Sequence, residues 1–281
     1  MSAPRVQVLG IAQDGGHPQT GCLRPCCVPA RATGLRHLVS CLGVVDGERR
    51  FMLDCTPDFP TQLHLLGAPP LDGILLTHAH MGHYTGLLQL GPEAWAPRDV
   101  PVHVMPGMEA FLSANEPWAS LAADGHAVWS PLRAGEPVPL TERLSVVPRL
   151  VPHRGPWSET VALELRGPSR RALYLPDLDR WGTAEEGADP VVLLESVDRA
   201  WVDGTFFDLG EIPWRDPAAV IHPLVRDTVE RLSAVPDELR SRLVFIHLNH
   251  TNPLLDPDSD ASRWIADQGF SVAREGDVFE L

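Results

Sequence analysis

The sequence predicts an α/β fold, in which short buried strands alternate with helices through two successive halves of the chain. Apolar runs such as residues 73–76 have the length of buried strands, whereas residues 107–122 carry apolar side chains at helical spacing. Polar side chains that can bind ligands recur directly after the strands, where α/β folds place their chemistry. No linker, charge block or low-complexity stretch separates the two halves, so we expect residues 1–281 to form a single domain.

The predicted strands and helices alternate along the chain. In the first half, strands are predicted at residues 5–10, 38–45, 50–54, 73–76 and 100–105, and helices at 60–66, from 86 onward and at 107–122. In the second half, strands are predicted at 144–151, 160–165, 171–175, 200–202 and 243–246, a buried segment at 191–196, and helices at 223–234 and 260–268. The chain ends in a predicted hairpin of residues 270–273 and 278–281, because a typical turn separates these two apolar runs.

Composition and charge disfavour several classes of protein. The chain has 281 residues, of which 44% are hydrophobic and 21% charged, as is typical of a globular protein with a sizeable core. No apolar run approaches the roughly 20 residues of a membrane span, and no signal peptide precedes the first strand, so we expect a cytoplasmic protein. The net charge of -14 disfavours nucleic acid and anionic membranes as partners, since both bind basic surfaces. The expected partner is a small-molecule substrate, and a homodimer stays open.

The densest cluster of candidate ligands is the segment 77–86, which follows the strand at 73–76 and contains His78, His80 and His83. Neutral imidazole is the commonest metal ligand, and packing rarely brings three histidines so close together. The alternative is that these are surface histidines on a polar loop. The spacing and the position after a strand favour a metal site.

Further ligand-capable residues stand at the ends of other predicted strands. They are Asp54, His153, Asp177, His222 and His247. Each histidine taken alone is more typical of a capped core or surface position than of a ligand. Because the residues recur at equivalent strand ends beside the histidine segment, we expect them to converge on one metal centre.

Three of the five cysteines, Cys22, Cys26 and Cys27, lie close together in a loop rich in proline and glycine. Without a secretion signal, a disulfide framework is not expected, and the spacing favours metal thiolates. The alternative is that Cys26 and Cys27 are free buried thiols. Cys41 and Cys55 lie in apolar, strand-like surroundings and are predicted to be small core residues.

The order of these residues resembles the metallo-β-lactamase superfamily across nearly the whole chain, which implies a four-layer αββα sandwich. The histidine segment matches the superfamily's His-x-His-x-Asp-His motif. The resemblance assigns metal-ligand roles to His78, His80, His83, His153, Asp177 and His247. It further implies that Asp177 bridges two metals and that Asp54 orients the histidine segment without touching a metal.

Within this superfamily, the chain is similar to the branch that contains PqqB, a pyrroloquinoline quinone biosynthesis protein, and the cyclic phosphodiesterase of the carbon–phosphorus lyase pathway. The similar segments are residues 15–19, 104–106, 111–112, 117–118 and 247–253. The resemblance implies a structural zinc, apart from the active site, in a cysteine-rich loop covering about residues 13–30. Its ligands would be Cys22, Cys26, Cys27 and His250. Three thiolates and one imidazole complete a tetrahedral shell, and such closed shells are typical of structural zinc.

The histidine segment departs from the superfamily motif at one position, because Gly82 stands where the motif has an aspartate. The first active-site metal is expected to keep His78, His80, His153 and Asp177. The second is expected to have only His83, Asp177 and His247, with an open position. We therefore expect one structural Zn²⁺ and one or two catalytic Zn²⁺ ions, with Mn²⁺ or Fe²⁺ as alternatives at the catalytic site.

The leading functional hypothesis is a metal-dependent hydrolase of a small ester, either a phosphodiester or a lactone, in which a metal-bound hydroxide attacks the substrate. Asp177 and His222 are the candidate catalytic residues. By resemblance to the phosphodiesterase branch, His222 would protonate the leaving group or bind the substrate anion. Asp179 and Asp203 are further candidates, and the tryptophans at 95, 157 and 214 either line the pocket or pack against the core.

Two other hypotheses remain open. The first is a PqqB-like, iron-dependent oxidative enzyme of cofactor or natural-product biosynthesis that acts on a tyrosine-derived precursor. The glycine at position 82 favours this hypothesis, whereas the intact pair His78 and His80 favours hydrolysis. The second is a binding module that has lost a metal and its catalytic activity.

Overall fold

Two seven-stranded sheets form the centre of the molecule in the computed structural model, which describes residues 2–281. The strands of the first sheet are β1 (Arg5–Gly10), β2 (Cys41–Asp46), β3 (Arg49–Leu53), β4 (Gly73–Leu75), β5 (Val100–Val104), β6 (Ala127–Pro131) and β14 (Val278–Glu280). The strands of the second sheet are β7 (Val138–Pro139), β8 (Ser145–Leu150), β9 (Val161–Arg166), β10 (Arg171–Leu175), β11 (Arg199–Asp203), β12 (Leu243–Ile246) and β13 (Ser271–Val272).

The two sheets share one pairing pattern. In the order β14-β1-β2-β3-β4-β5-β6, the first four strands pair antiparallel and the rest parallel. In the second sheet, β7 to β10 pair antiparallel and β10 to β13 parallel. Because parallel strands present their carboxyl ends at one edge, each sheet collects its strand-end side chains on one side.

Helices cover the outer faces of both sheets. They are α1 (Val28–Thr33), α2 (Phe59–Leu65), α3 (Met81–Tyr84), α4 (Pro106–Ala114), α5 (Trp118–Ala123), α6 (Pro190–Ser196), α7 (Val225–Arg231), α8 (Asp237–Arg240) and α9 (Asp260–Asp267). Short 3-10 helices span Thr85–Leu90, Leu209–Glu211, Pro217–Ala219 and Pro253–Leu255. Within residues 2–281, no helix is both long and apolar enough to cross a membrane.

The hydrophobic core is divided between the sheets and their helices. Val44 and Phe51 of the first sheet share one buried cluster with Leu163 and Leu173 of the second, so the two sheets pack face to face. The second buried cluster joins the other face of the first sheet to its helices and includes Phe59 of α2. These layers make the predicted four-layer αββα sandwich, and the fold prediction is confirmed. Cys41 and Cys55 are fully buried, as predicted.

The prediction of one continuous helix at residues 107–122 is wrong in its middle. The segment forms two helices, α4 and α5, and the break falls at Asn115, Glu116 and Pro117. Proline has no backbone N–H to donate and its ring clashes with the preceding turn, so a helix rarely continues through it. The buried segment predicted at 191–196 is helix α6, which Asp189 caps by accepting from the backbone N–H groups of Val191 and Val192.

The hairpin predicted at the end of the chain is wrong. β13 pairs with β12 in the second sheet, whereas β14 pairs with β1 in the first, so the chain crosses between the sheets at the predicted turn. The turn residues allow a hairpin, but β1 and β12 would then each present an open edge of unpaired backbone groups. Adding one strand to each sheet satisfies both edges.

Candidate metal centre

The strands of both sheets deliver the candidate ligands to one place. Asp54 follows β3, His78 follows β4, Asp177 follows β10 and His247 follows β12. Asp54 and His247 adopt the left-handed backbone conformation, with φ of 66° and 63°. This conformation is unfavourable for residues other than glycine and is typical of functional sites that the surrounding structure holds in place.

One group of three imidazoles forms the first half of the centre. His78 Nε2 lies 2.9 Å from His80 Nδ1, and His153 Nε2 lies 3.2 Å from the same atom. A tetrahedral zinc with Zn–N bonds of about 2.0–2.1 Å holds its ligand atoms about 3.3 Å apart. The three nitrogens are therefore spaced as ligands of one metal ion are, and they share a common centre.

A second group of donors lies beside the first. Asp177 Oδ2 is 2.9 Å from His83 Nε2 and 3.3 Å from His247 Nε2. Asp14 Oδ1 completes the group, at 3.3 Å from both of these imidazole nitrogens. Besides the three expected ligands, the fold brings a fourth donor to this group from another part of the chain.

Sequence reasoning missed Asp14, although a usable signal was present. Asp14 follows β1 by a few residues, so it is a carboxylate after a strand, as Asp54 and Asp177 are. A glycine-rich loop such as this one is also typical of ordinary turn chemistry. The pairing of this loop with Leu248 puts Asp14 beside His247 and the histidine segment.

Asp177 faces both donor groups at once. Besides its contacts in the second group, its Oδ2 lies 3.6 Å from His78 Nε2 and its Oδ1 lies 3.8 Å from His153 Nε2. Asp177 Oδ2 and His83 Nε2 are both buried and lie 2.9 Å apart, yet among the described residues neither atom makes a hydrogen bond with favourable angles. Such atoms normally have partners in folded proteins, so their convergence fits a pair of bridged metal ions.

The protonation states of the first group of imidazoles and of Asp177 also fit metal binding. Burial lowers the pKa of His78, His80 and His153 below the ordinary histidine value, so these imidazoles are neutral near pH 7. Burial by itself raises the pKa of Asp177, but the surrounding histidines outweigh it and hold that pKa well below the usual range. Neutral imidazole and ionised carboxylate are the forms that bind metals.

Neighbouring side chains orient the imidazoles from the side that faces away from the centre. The distances to the histidine Nδ1 atoms are 2.7 Å for Asp54 Oδ2 to His83, 3.0 Å for Thr77 Oγ1 to His78, 3.0 Å for Asp179 Oδ1 to His153 and 3.0 Å for Thr205 Oγ1 to His247. Such contacts hold each ring so that its other nitrogen faces the metal. The structure therefore places Asp54 where the sequence predicts an orienting residue, and Asp179 in the same position relative to His153.

His222 lies at the margin of this centre. Its Nδ1 is 2.7 Å from Asp203 Oδ2 and 3.8 Å from Asp177 Oδ1. Asp203 also accepts hydrogen bonds from the backbone N–H groups of Leu178 and Thr205, so its carboxylate is held on three sides. Burial lowers the pKa of His222, but the Asp203 carboxylate outweighs burial and the pKa is raised. Asp203 therefore positions His222 and favours its protonated form.

The cysteine cluster forms a separate group away from the active centre. Cys22 Sγ and Cys26 Sγ are 3.7 Å apart, and His250 Nδ1 lies 3.5 Å from Cys26 Sγ and 3.3 Å from Cys27 Sγ. With Zn–S bonds of about 2.3 Å, two thiolates on one zinc are about 3.8 Å apart, so the spacing fits. The adjacent cysteines both face His250 because the chain turns into α1 directly after Cys27.

The three loop tryptophans differ in their surroundings. Trp157 is 56% exposed and stacks on Phe111, with the ring centroids 5.8 Å apart. The next residue, Ser158, accepts a hydrogen bond from the backbone of Ala79, so Trp157 lies beside the histidine segment. Trp95 packs against core residues and Trp214 carries an arginine on its face near the cysteine cluster. Trp157 is therefore the tryptophan best placed to meet a substrate.

Comparison with known proteins agrees with this geometry. A family model described as a beta-lactamase superfamily domain matches residues 49–248. The chain belongs to the β-lactamase superfamily. It is 29% identical to the coenzyme PQQ synthesis protein B of Methylobacterium nodulans, and the match covers 98% of this chain and 99% of the relative.

Two solved structures share the fold over almost their whole length. Zinc-bound PqqB from Methylobacterium extorquens superimposes with a TM-score of 0.83 at 24% identity and covers 99% of this chain and 100% of its own. A diphosphatase of the PhnP family superimposes with a TM-score of 0.71 at 20% identity and covers 100% of this chain and 98% of its own. The first of these neighbours contains zinc, which agrees with metal binding by this fold.

Proposed function

We propose that this protein is a metal-dependent enzyme of coenzyme or natural-product biosynthesis, related in role to the PQQ synthesis proteins B. The observation that carries the proposal is the pair of adjacent donor groups that share Asp177. The similarity to PQQ synthesis protein B runs over almost the whole of both chains, which supports a related role rather than a shared fold alone.

The proposed chemistry is oxidative and depends on iron. The second donor group consists of two imidazoles and two carboxylates, from His83, His247, Asp14 and Asp177. Sets of two histidines with carboxylate oxygens suit iron, and manganese or zinc also bind such donors. Bound metals would supply Lewis acidity and an activated water, and iron would add redox chemistry.

The residues of the chain bind and orient the substrate around this centre. Asp203 engages Nδ1 of His222, so Nε2 is the nitrogen left for a substrate. In the charged form that Asp203 favours, His222 holds a substrate anion or donates a proton to a departing oxygen. Trp157 and Phe111 add an apolar surface next to the histidine segment.

The proposed partner is a small molecule. The net charge of -14 disfavours nucleic acid and anionic membranes, and a cytoplasmic setting is part of the proposal. Three thiolates and one imidazole make the proposed structural zinc site, formed by Cys22, Cys26, Cys27 and His250.

A second candidate function is hydrolysis of a small ester such as a phosphodiester or lactone. The observation that favours it is Asp14, which supplies the second donor group with a carboxylate in addition to the shared Asp177. The absence of the motif aspartate at Gly82 was the sequence feature that favoured oxidation over hydrolysis. Since Asp14 offers a carboxylate to the same donor group, this feature no longer separates the two chemistries.

Metal content and reaction type together test the proposal. Protein purified without oxygen is analysed for iron, zinc and manganese, and its oxygen consumption is measured with tyrosine-derived phenols. We expect tightly bound iron and oxygen consumption that is lost in Asp177→Asn. The matched control is Asp237→Asn, whose side chain is 89% exposed and belongs to none of the donor groups. Zinc-loaded protein that consumes no oxygen but cleaves members of a phosphodiester, lactone and thioester panel overturns the oxidative proposal and establishes the second candidate.

A further inference from the structure

Gly82 occupies the motif position that normally carries an aspartate, and the space beside it is filled. A Cβ atom built on Gly82 would lie 2.5 Å from Asp14 Oδ1 and 2.6 Å from both Cα and Cγ of Asp14. Real Cβ atoms do not approach other heavy atoms so closely, and here part of the obstacle is backbone. A side chain at position 82 and Asp14 in its present place therefore exclude each other.

The Asp14 carboxylate reaches the same donor group as a motif aspartate would. Its Oδ1 is 3.3 Å from His83 Nε2 and 3.3 Å from His247 Nε2. His83 Nε2 is fully buried and lies 2.9 Å from Asp177 Oδ2 as well, but among the described residues none of its contacts has the angles of a hydrogen bond. A buried nitrogen that lies between two carboxylates without a well-aligned hydrogen bond has the geometry expected of a metal ligand.

The backbone around Asp14 is held by both sheets. The N–H of Gln13 donates to the carbonyl of Leu248 at 2.8 Å, and the N–H of Leu248 donates to the carbonyl of Ile11 at 2.8 Å. The N–H of Ser40 donates to Ala12, which also forms bridges with Val39 and Leu248. Leu248 directly follows His247, so the same ladder positions Asp14 and one of its fellow donors. Rigid support of this kind is what a metal ligand requires.

We infer that Asp14 is the carboxylate ligand of the second metal, replacing the motif aspartate, and that Gly82 is needed because any side chain there would displace Asp14. The inference rests on the metal centre of the proposed function and not on which reaction that centre performs. It assigns a metal ligand to the loop before the cysteine cluster rather than to the histidine segment.

Metal stoichiometry tests the inference without an activity assay. The unaltered protein, Asp14→Asn and Gly82→Asp are each loaded with Zn²⁺ or Mn²⁺, and bound metal is measured by elemental analysis and titration calorimetry. Asp14→Asn keeps the size of the side chain but removes the charge. We expect it to bind one equivalent less, or to bind that equivalent with an affinity that falls by more than the roughly 10–100-fold typical of losing an orienting partner. Asp237→Asn on the exposed helix α8 serves as the control.

Moving the aspartate from position 14 to position 82 gives a sharper test than Asp14→Asn alone. Gly82→Asp alone is expected to lose the second metal through collision with Asp14, whereas Asp14→Gly combined with Gly82→Asp is expected to recover it. Circular dichroism and melting curves identify any variant that fails to fold, and Asp14→Asn keeps the test decisive in that case. Full metal binding by Asp14→Asn, or by Gly82→Asp alone, overturns the inference. If the unaltered protein binds metal at the cysteine cluster alone, the metal centre of the proposed function fails instead.

Discussion

The active centre and the cysteine cluster are both candidate metal sites, but the fold supports them in opposite ways. In the active centre, the donors follow strands of both sheets, and His78, His83 and His247 are almost completely buried. The cysteine cluster lies in the loop before α1, where Cys22 and Cys26 are only partly buried. The sheets therefore preorganise the active centre before any metal binds, whereas a metal at the cysteine cluster contributes to folding of its own loop.

The two regions are nevertheless joined through the chain. The loop of residues 13–30 carries Asp14 near its start and the cysteines farther on. The segment after β12 carries His247 into the active centre and His250 into the cysteine cluster. A change in the metal-ordered cysteine cluster is therefore expected to reach Asp14, whereas a change in the preorganised active centre is not expected to reach the cysteine cluster.

The largest effect is expected from Asp177→Asn, which removes the charge that both donor groups share. Two metals held next to each other need this carboxylate to balance their charges, so the affinity for both is expected to fall by well over about 100-fold, the upper range for an orienting partner. Elemental analysis after dialysis measures the loss. The cysteine cluster should keep its metal, and its loss from that cluster would contradict the separation of the two regions.

The next largest effect is expected from Cys27→Ser, which removes one thiolate from the cluster. If free zinc is held at about 100–1,000 times its dissociation constant, the unfolding free energy should fall by about 3–4 kcal/mol. Because the loop also carries Asp14, the second active-site metal should weaken while the imidazole group of His78, His80 and His153 keeps its metal.

Thermal melting with and without zinc, together with metal titration, measures both consequences of Cys27→Ser. Cys41→Ala is the matched control, since it removes a buried thiol outside the loop. It should lower stability equally with and without zinc. Unchanged binding of the second active-site metal by Cys27→Ser would show that the sheets alone hold Asp14 in place.

A smaller effect is expected from Thr205→Val, which removes the hydroxyl beside Nδ1 of His247. The imidazole loses its orienting partner, so the affinity of the second donor group should fall by about 10–100-fold. Calorimetric titration is the measurement, and Thr61→Val on the exposed face of α2 is the control. An equal loss of metal affinity at the cysteine cluster would mean that the change beside His247 also displaces His250.

The smallest effect concerns Glu211, which lies next to the cysteine-cluster segment and accepts a hydrogen bond from Thr251 at 2.6 Å. Burial raises the pKa of Glu211 from 4.5 to about 7. The folded protein holds this proton more tightly than the unfolded chain, so the associated stability is complete below pH 4.5 and is lost as the pH rises through about 7. Denaturant unfolding between these pH values should show a decrease that is smaller in Glu211→Gln. An identical pH dependence of stability in both proteins would refute the raised pKa of Glu211.

Much of the fold and of the site follows from local sequence patterns. The histidine segment after β4, and Asp54, Asp177 and His247 after other strands, are signals that a few neighbouring residues carry. The cysteine cluster is equally local, apart from His250. Patterns of this kind persist in the folded protein because strand ends and tight turns depend on short-range chemistry.

The pairing of the last two strands depended on contacts between distant parts of the chain. Residues 271–272 and 278–280 have the sequence of a hairpin, yet they join different sheets because both sheets offered an open edge. The turn between them is compatible with either outcome. No local signal distinguishes the two arrangements, since the deciding backbone groups belong to β1 and β12.

By itself, the sequence determined the fold class and most of the candidate ligands, because strand periodicity and dense histidine spacing are properties of short segments. Only the tertiary structure decided how the second donor group is completed. The pairing of the loop after β1 with Leu248 brings Asp14 against Gly82, and there the missing side chain leaves the room that the Asp14 carboxylate occupies. In the sequence, Gly82 indicates a lost ligand, whereas in the folded protein its missing side chain makes room for the Asp14 carboxylate.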